Sequence, residues 1–270
     1  KAHAATITVN TDTHPSACTL DEAITNINDG AQTNTDCVEI GSYGTDDTIT
    51  IPEGAVLLSA NLPQIQKSVS ITGAGMGQSV INGDGQYEVF VSNNQPTAYV
   101  VISDLKITAF FNIAINTQST NLEVRRVEID GAGSDSNGGA LGGILSSSTG
   151  GETVSQILQD VYIHDLTDAS ATVIGAGGMA DDNSTLNVVS KNTTVARLHN
   201  SQSGAEGYFL ATGIFTNLSP GTVTVNIENL TIDTIVADSD AALGIAAISG
   251  VDGGGSSITG SVSNATIRHT

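Results

Sequence analysis

A four-residue pattern of polar, apolar, polar and apolar positions recurs along this chain and constrains its fold more than any other feature. It occupies residues 68–71, 104–107, 126–129, 160–163, 192–195, 229–232 and 264–267. Its last residues lie 36, 22, 34, 32, 37 and 35 positions apart. A strand that returns at such intervals, with Gly-rich turns of variable length between, is typical of a solenoid whose coils each carry about three short strands.

The composition favours the same architecture. Only 4% of the residues are aromatic and Trp is absent, so the interior must be built from Val, Ile, Leu and Ala. A narrow tube of stacked aliphatic layers suits that supply better than a broad core. We therefore predict an all-β fold, a right-handed parallel β-helix (solenoid) with an N-terminal capping α-helix. The competing antiparallel sandwich would require hairpin turns about every 8 to 12 residues.

The capping helix is predicted near the start of the chain. Apolar residues at helical spacing are Leu20, Ala23, Ile24 and Ile27. Thr19 and Glu22 have the spacing of a capping box, and the run ending at Gly30 stops the helix. The pattern predicts a helix over about 19–28 within a cap region, 5–60, that covers the open end of the tube. Residues 61–270 are predicted as rungs, continuous with the cap in one domain.

Export is predicted from two features of the N-terminal region. Ala2 and Ala4 form the A-x-A pattern of a signal-peptide cleavage site, so residues 1–4 are interpreted as a signal-peptide remnant, with a vector remnant as the alternative. Cys18 and Cys37 match no metal-ligand spacing. We predict a disulfide between them, while two free thiols in a cytosolic protein would give the same sequence. The expected location is secreted, at a cell surface.

Several short motifs resemble one known family. Residues 5–10 have the sequence ATITVN, residues 18–24 CTLDEAI, residues 34–37 NTDC, residues 47–52 DTITIP, residues 70–75 SITGAG and residues 80–83 VING. In that order they resemble the CSLREA-type parallel β-helix proteins of bacterial and archaeal surfaces, which include polymorphic outer-membrane and adhesin-like proteins. The resemblance covers about residues 5–110 and departs from the family at Thr19 and Asp21. It implies an exported β-helix with an N-terminal capping helix, and it supplies no catalytic residues.

The net charge of the chain limits the classes of molecule that it can bind. Eight Lys and Arg against 28 Asp and Glu give a net charge of -20, which repels nucleic acid and disfavours anionic membranes. The chain contains no run of 18 apolar residues, so we expect no membrane insertion. Such acidity favours solubility in an extracellular medium and is also compatible with cation binding.

The sequence lacks a complete set of the catalytic motifs found in enzymes of this architecture. The galacturonan hydrolases of this architecture need N-T-D, D-D, G-H-G and R-I-K on successive rungs; here N-T-D falls at residues 34–36, in the cap region, and the last two motifs are absent. We therefore expect no catalytic residues and no required cofactor. The predicted function is a non-enzymatic extracellular scaffold or adhesin that binds a glycan or protein. The alternative is a polysaccharide lyase or glycoside hydrolase.

Two further expectations concern the acidic residues and the last rung. Acidic residues follow successive rung strands at Asp130, Asp135, Asp165, Asp168, Asp233, Asp238 and Asp240. Stacking would bring them together as a weak Ca²⁺ site, because Ca²⁺ accepts 6 to 8 oxygen ligands; solvated turn residues are the simpler interpretation. The last rung, 264–267, lacks a visible cap, so we expect one of two arrangements: the protein continues past Thr270 with more rungs or an anchor, or head-to-tail self-association covers this end.

Five N-x-S/T sequons occur, at Asn183, Asn192, Asn217, Asn229 and Asn264. Asn192, Asn229 and Asn264 share the first position of the repeated pattern. This coincidence favours a stacked asparagine ladder over glycosylation at those three positions.

Overall fold

The computed structural model describes residues 4–11, 17–169, 171–202, 204–212, 220–239, 241–249 and 255–269. Within them the chain forms one helix and nineteen strands. In chain order these are β1 (Thr6–Thr8), α1 (Leu20–Asp29), β2 (Glu39–Ile40), β3 (Asp47–Ile51), β4 (Gly54–Leu57), β5 (Val69–Gly73), β6 (Ser79–Asn82), β7 (Phe90–Thr108), β8 (Ile113–Asp130), β9 (Ala140–Ser148), β10 (Thr153–His164), β11 (Thr167–Asp168), β12 (Thr172–Ala180), β13 (Thr185–Asn200), β14 (Ala205–Thr212), β15 (Thr222–Glu228), β16 (Thr231–Ala237), β17 (Ala242–Ser249), β18 (Ser257–Ser263) and β19 (Thr266–Arg268).

Strands of successive coils pair in parallel, which makes the molecule a parallel β-helix with three faces. The first face carries the column Ile49, Ile71, Ile102, Val124, Leu158, Ser190, Ile227 and Val262. The second carries Val56, Ile81, Ile107, Ile129, Ile163, Val195, Ile232 and Ile267. The third carries Phe90, Ile115, Ile144, Ala176, Tyr208 and Ile245. Among the described strands, the pair β1 and β2 is antiparallel.

The recurring strand pattern identified the second face, with one error. From Ile107 onward its last residues are direct partners in neighbouring coils, as the pattern predicts. The first interval, from Ile71 to Ile107, is wrong. Ile71 belongs to the first face and pairs with Ile102, while the partner of Ile107 is Ile81 on β6. The mistake arose because both faces alternate polar and apolar residues, so the sequence pattern alone does not distinguish them.

The polar first position of the repeat forms a corner between the first and second faces. Its residues are Asp104, Arg126, Asp160, Asn192, Asn229 and Asn264, with φ between 50° and 59°. This left-handed conformation turns the chain sharply from one strand to the next, and Asn and Asp adopt it more readily than other non-glycine residues. The backbone of the corner therefore explains why Asn and Asp recur there.

A column of glycines lets the third face approach the second. Strand register aligns Gly143, Gly175, Gly207 and Gly244 in four successive coils. A Cβ atom on Gly143 would lie 2.7 Å from Cγ2 of Ile163, and one on Gly207 would lie 2.9 Å from Cδ1 of Ile232. The branched side chains of the second face therefore pack directly on the third-face backbone.

The helix predicted over about 19–28 is present as α1, Leu20–Asp29. Its apolar residues Leu20, Ala23, Ile24 and Ile27 are at most 2% exposed and belong to the same apolar cluster as Ile7 and Ile49. The Glu22 carboxylate accepts hydrogen bonds from the backbone N–H of Thr19 at 3.0 Å and from its hydroxyl at 2.9 Å. At the other end Gly30 has φ 69°, and its N–H donates to the carbonyls of Asn26 and Ile27. Helix start and stop thus follow the sequence signals.

The predicted disulfide is confirmed, because Cys18 and Cys37 are bonded and both are buried. The loop after the helix is also held by Asn26, whose side chain bonds the N–H of Asn34 at 2.7 Å and its carbonyl at 3.0 Å.

At the other end of the β-helix, β18 and β19 pair with β15 and β16, and Val262 and Ile267 remain 46% and 47% exposed. In the described residues, no helix has the length and apolar character needed to cross a membrane. Residues 1–3 of the segment interpreted as a remnant lie outside the described residues.

Candidate functional site

The candidate site lies on the outer surface of the second face. Strand register places Lys106, Glu128 and Tyr162 in one outward column, and Asp130 and His164 in the next. Side chains two positions apart point to the same side of a strand, so five polar groups from three coils share one surface. Together with residues at the following corner they form the second-face cluster: Lys106, Glu128, Asp130, Tyr162, His164, Asp165 and Arg197.

Lys106 lies between two carboxylates of the next coil. Its Nζ atom is 2.8 Å from Oδ2 of Asp130 and 2.9 Å from Oε1 of Glu128. The same Glu128 oxygen lies 3.2 Å from Nε2 of His164. One carboxylate thus joins the ammonium group of one coil to the imidazole two coils away.

His164 is the most enclosed ionisable side chain of the cluster, with 8% of its side chain exposed. Its ring stacks on Tyr162, with centroids 4.2 Å apart. Nδ1 is 2.6 Å from Oδ2 of Asp165 and 3.0 Å from Nη2 of Arg197. Since one nitrogen cannot donate to Asp165 and accept from Arg197 at once, its protonation selects which contact is a hydrogen bond.

Asp165 and Arg197 occupy equivalent corner positions in adjacent coils, with φ 58° and 55°. Their side chains meet in a bidentate pair: Nε of Arg197 is 2.6 Å from Oδ1 of Asp165, and Nη2 is 2.7 Å from Oδ2. Nη1 of the same guanidinium donates to the Tyr162 hydroxyl at 3.2 Å. A planar guanidinium is suited to this geometry, which closes one side of the cluster.

The ion pairs hold the cluster in its charged state. The hydrogen bond from Arg197 lowers the pKa of Asp165 well below its usual range, and the same pair raises the pKa of Arg197. Burial is the largest single influence on the pKa of Glu128 and of Asp130 and would raise both, but the hydrogen bonds that each accepts together outweigh it. Lys106 donates to both carboxylates, His164 contacts Glu128 and the Ala132 N–H donates to Asp130, so the net pKa shift of each is downward. Burial likewise opposes the charge of Lys106, and its two carboxylate partners raise its pKa regardless. Each charge therefore depends on its neighbour in the next coil.

The arrangement offers both acid–base and ligand chemistry. It combines an imidazole, a phenol, an ammonium group and a guanidinium group with three carboxylates on one open strand surface. Glu128, Asp130 and His164 could each give one ligand atom to a metal, and those atoms lie within 4.8 Å of one another. Lys106, however, places an ammonium group against both carboxylates. A cation entering there would have to displace it.

Two of the acids predicted for a cation site, Asp130 and Asp165, belong to this cluster, where His164 Nδ1 is 3.9 Å from Asp130 and 2.6 Å from Asp165. Asp135 and Asp168 lie at a separate turn around Ser136. There Ser136 Oγ donates to Oδ2 of Asp168 at 2.6 Å, and its N–H donates to Oδ1 of Asp135 at 2.7 Å. Stacking thus brings these four acids together in two pairs.

The remaining predicted acids lie farther along the tube. Asp233 contacts Nδ1 of His269 at 3.0 Å, and Asp238 contacts Nε2 of His199 at 3.2 Å. Asp240 lies outside the described residues. The calcium site stays a prediction, with Asp130 and Asp165 as the members that share a cluster.

The sequence missed most of this cluster. His164 and His199 each follow a copy of the repeated strand pattern, but they do not occupy equivalent positions: His164 pairs with Ala196 in the next coil, and His199 pairs with Thr167. No sequence motif marks the other members of the cluster as site residues; these are Lys106, Glu128, Tyr162 and Arg197. A usable signal existed in the alternation of Glu128 with Asp130, and of Tyr162 with His164, at the same register in consecutive repeats.

The predicted asparagine ladder is confirmed. Asn192 donates from Nδ2 to Oδ1 of Asp160 at 2.7 Å, Asn229 to Asn192 at 2.9 Å, and Asn264 to Asn229 at 3.2 Å. Arg126 makes a bidentate pair with Asp104 at the same corner, at 2.6 and 2.7 Å. Side-chain hydrogen bonds at this corner therefore join neighbouring coils in two stretches, from Asp104 to Arg126 and from Asp160 to Asn264.

Comparison with known proteins gives no family assignment for this chain. No family model matches the chain, and no curated protein matches it. Among solved structures, the chain is similar to the A-module of the mannuronan C-5 epimerase AlgE4 of Azotobacter vinelandii, with 12% identity, a TM-score of 0.23, and coverage of 81% of this chain and 91% of that one. A superposition this loose carries no argument about chemistry. The parallel pairing within the chain itself shows the β-helix, and the CSLREA-type resemblance rests on its sequence motifs.

Proposed function

We propose that this protein is an extracellular β-helical scaffold or adhesin module of a microbial cell surface, and that it is not an enzyme. The observation that carries the proposal is how the outer charges are used. All five cationic side chains between residues 106 and 197 pair with a carboxylate, and four of these pairs join adjacent coils: Lys106 with Asp130, Arg126 with Asp104, Lys191 with Glu228, and Arg197 with Asp165.

Cations that are already paired are poorly placed to hold an anionic substrate. Each would have to leave its carboxylate, and that carboxylate would then repel the substrate. These ion pairs instead join the successive coils of a rod whose net charge is strongly negative. A stiff, soluble rod is what a surface spacer or adhesin requires.

The N-terminal region supports the same proposal. There the buried face of α1 belongs to the apolar cluster that contains Ile7 and Ile49, and our proposal is that this helix covers the first coil. The antiparallel strand β2 lies along β1, so pairing with another chain at that edge is obstructed. Connections between parallel strands of one sheet are right-handed in nearly all proteins, so we expect the coil of this β-helix to be right-handed. Such a capped, disulfide-bonded start agrees with the CSLREA-type resemblance and with export.

A glycan-array screen of the full chain, paired with a reducing-sugar release assay on every glycan bound, tests the proposal. We expect binding without release. The matched variants are Tyr162→Phe and His164→Gln in the cluster, with Asn187→Ala on the first face as control. Release of sugar by the wild type, lost in the two cluster variants and kept in the control, would overturn the non-enzymatic assignment.

The second-face cluster favours one alternative, a polysaccharide lyase or glycoside hydrolase. A lyase needs a base next to a cation that neutralises the uronate carboxylate, and His164 lies 3.0 Å from the Arg197 guanidinium. Formation of unsaturated uronate from an acidic polysaccharide, abolished by His164→Gln, would favour this function. Its absence with all acidic substrates tested favours the scaffold.

Head-to-tail association through the last coil stays a separate prediction. Light scattering of the chain across a concentration series tests it, with Val262→Lys as the variant that should keep the particle monomeric. A monomeric wild type at the highest concentration would contradict it.

A further inference from the structure

One sequon differs from the three that form the corner ladder. Asn183 lies in the turn between β12 and β13, is exposed, and follows Asp182 in the left-handed conformation, with φ 57° and 58°. Its backbone N–H donates to the carbonyl of Pro220 at 2.5 Å. Among the residues that the structure describes, its side-chain amide has no hydrogen-bond partner. This amide is therefore free to react.

The turn around Asn183 is held in place by hydrogen bonds to the buried side chain of Ser184. Ser184 is 1% exposed, and its Oγ accepts hydrogen bonds from the N–H groups of Gly151 at 2.9 Å and Glu152 at 3.2 Å. Thr185, which supplies the sequon hydroxyl, begins β13 and pairs with Thr153 and Thr222. The buried serine thus fixes the backbone, and the asparagine side chain extends outward from it.

The ladder sequons lack this freedom. The amide nitrogens of Asn192, Asn229 and Asn264 each donate to a residue of the preceding coil. Coils stack at roughly 4.8 Å, so a sugar on one of these nitrogens would occupy the space of its neighbour. Modification of any of these three asparagines would therefore break its hydrogen bond to the preceding coil.

We propose that Asn183 is an N-glycosylation acceptor, taking an oligosaccharide from a lipid-diphosphate donor; this rests on the proposed function only in requiring export. In the transfer, the Asn183 amide nitrogen bonds to the anomeric carbon of the sugar while the bond from that carbon to the diphosphate oxygen breaks. The amide loses one proton to a base of the transferase, and the lipid diphosphate leaves. The glycan would stand outward from the β12–β13 turn and shield that surface.

The test is secretion of the full chain from a host with an oligosaccharyltransferase, using a heterologous signal peptide. A C-terminal tag that carries its own sequon reports that the machinery reached the chain. Because Asn217 lies outside the described residues, Asn217→Gln is introduced throughout. Glycopeptide mapping should find the glycan on Asn183 and on the tag, and Asn183→Gln should lose the first while melting at an unchanged temperature.

The ladder provides the matched control, since Asn229→Gln should lower the melting temperature without removing a glycan. An unmodified Asn183 in secreted protein whose tag is modified would overturn the proposal. Glycans on Asn192, Asn229 or Asn264 in folded protein would overturn it as well. Neither result bears on scaffold against enzyme, which the sugar-release assay decides separately.

Discussion

The two sides of the second face are built by different rules. Inside, one column repeats a single kind of residue, with Ile107, Ile129 and Ile163 all fully buried. Outside, the neighbouring column changes in every coil, from Lys106 to Glu128 to Tyr162. The inner column holds branched aliphatic side chains of similar volume, because a close-packed interior tolerates little change in side-chain volume. The outer column needs a different partner in each coil, because equal charges stacked at coil spacing would repel.

This contrast shows where a parallel β-helix stores its stability and where it can vary. Apolar burial in the interior scales with the area removed from water, whereas pairs of exposed charges contribute little each. The interior therefore specifies the fold, while the outer columns can diverge toward function without loss of the tube.

The largest effect is expected from truncating the inner column. Ile163→Ala should lower the free energy of unfolding by about 2–5 kcal/mol, because the site is enclosed by the glycine column and cannot collapse. Val189→Ala, at an outward position that is 42% exposed, is the control and should change it by less than about 0.5 kcal/mol. Denaturant unfolding measures both. Equal losses in the two variants would mean that inside and outside do not differ as described.

Filling the tube should cost somewhat less than emptying it. Gly143→Ala places a methyl group against Ile163, which should destabilise by about 1–3 kcal/mol. Gly139→Ala is the control, because Gly139 is exposed and the nearest atom to the new Cβ is the side-chain oxygen of Asn137 at 3.5 Å, so this variant should be nearly neutral. Thermal unfolding of the pair measures the difference. A neutral Gly143→Ala would contradict the close approach of the second and third faces.

The sequence predicted the inner column better than the outer one for a physical reason. Apolar alternation repeats with the coils, so the second face was visible from Ile107 to Ile267 as a periodicity. The glycine column was not, because a single Gly at irregular intervals of 32 to 37 residues resembles any turn residue. The cluster required knowing which coil lies beside which, since Lys106 and Asp130 meet only after the register is fixed. Helix start, helix stop and disulfide depend on local residues and were predicted well.

Acid should remove the outer charges together. The folded-state pKa values of Glu128, Asp130 and Asp165 are lowered, so their stabilisation is complete above the unfolded values of about 3.9 to 4.3. It is lost as the pH falls through the lowered folded values, below about pH 4. Melting temperatures measured from pH 7 to pH 2 should show the fall begin near pH 4 and continue to the lowest pH, because the pKa of Asp165 is lowered the furthest. The triple variant Glu128→Gln, Asp130→Asn, Asp165→Asn should fall less steeply, and an equal slope would contradict the ion-pair account.

A single outer pair should contribute less. A double-mutant cycle of Asp165→Asn and Arg197→Met should give a coupling energy of about 0.2–1 kcal/mol, because both side chains are more than a third exposed and solvent screens them. The cycle of Asn192→Ala and Ile71→Ala, whose strands are separated by the three intervening strands β7, β8 and β10, is the control and should be additive. A coupling energy above about 3 kcal/mol would show that the outer face holds the fold as strongly as the inner one.

Calcium should have the smallest effect on stability. The hypothesis that acids on the outer face bind a divalent cation predicts a higher melting temperature in millimolar Ca²⁺. The ammonium group of Lys106 already lies 2.8 and 2.9 Å from Asp130 and Glu128, so binding must displace it and the shift should be slight. Lys106→Gln removes that competitor and leaves two carboxylates without their cation, so the calcium-dependent shift should grow. Lys191→Gln removes a cation from the first face and should leave the shift unchanged. If neither the wild type nor Lys106→Gln responds to Ca²⁺ or to EDTA, the acids serve as partners of basic side chains and not as metal ligands.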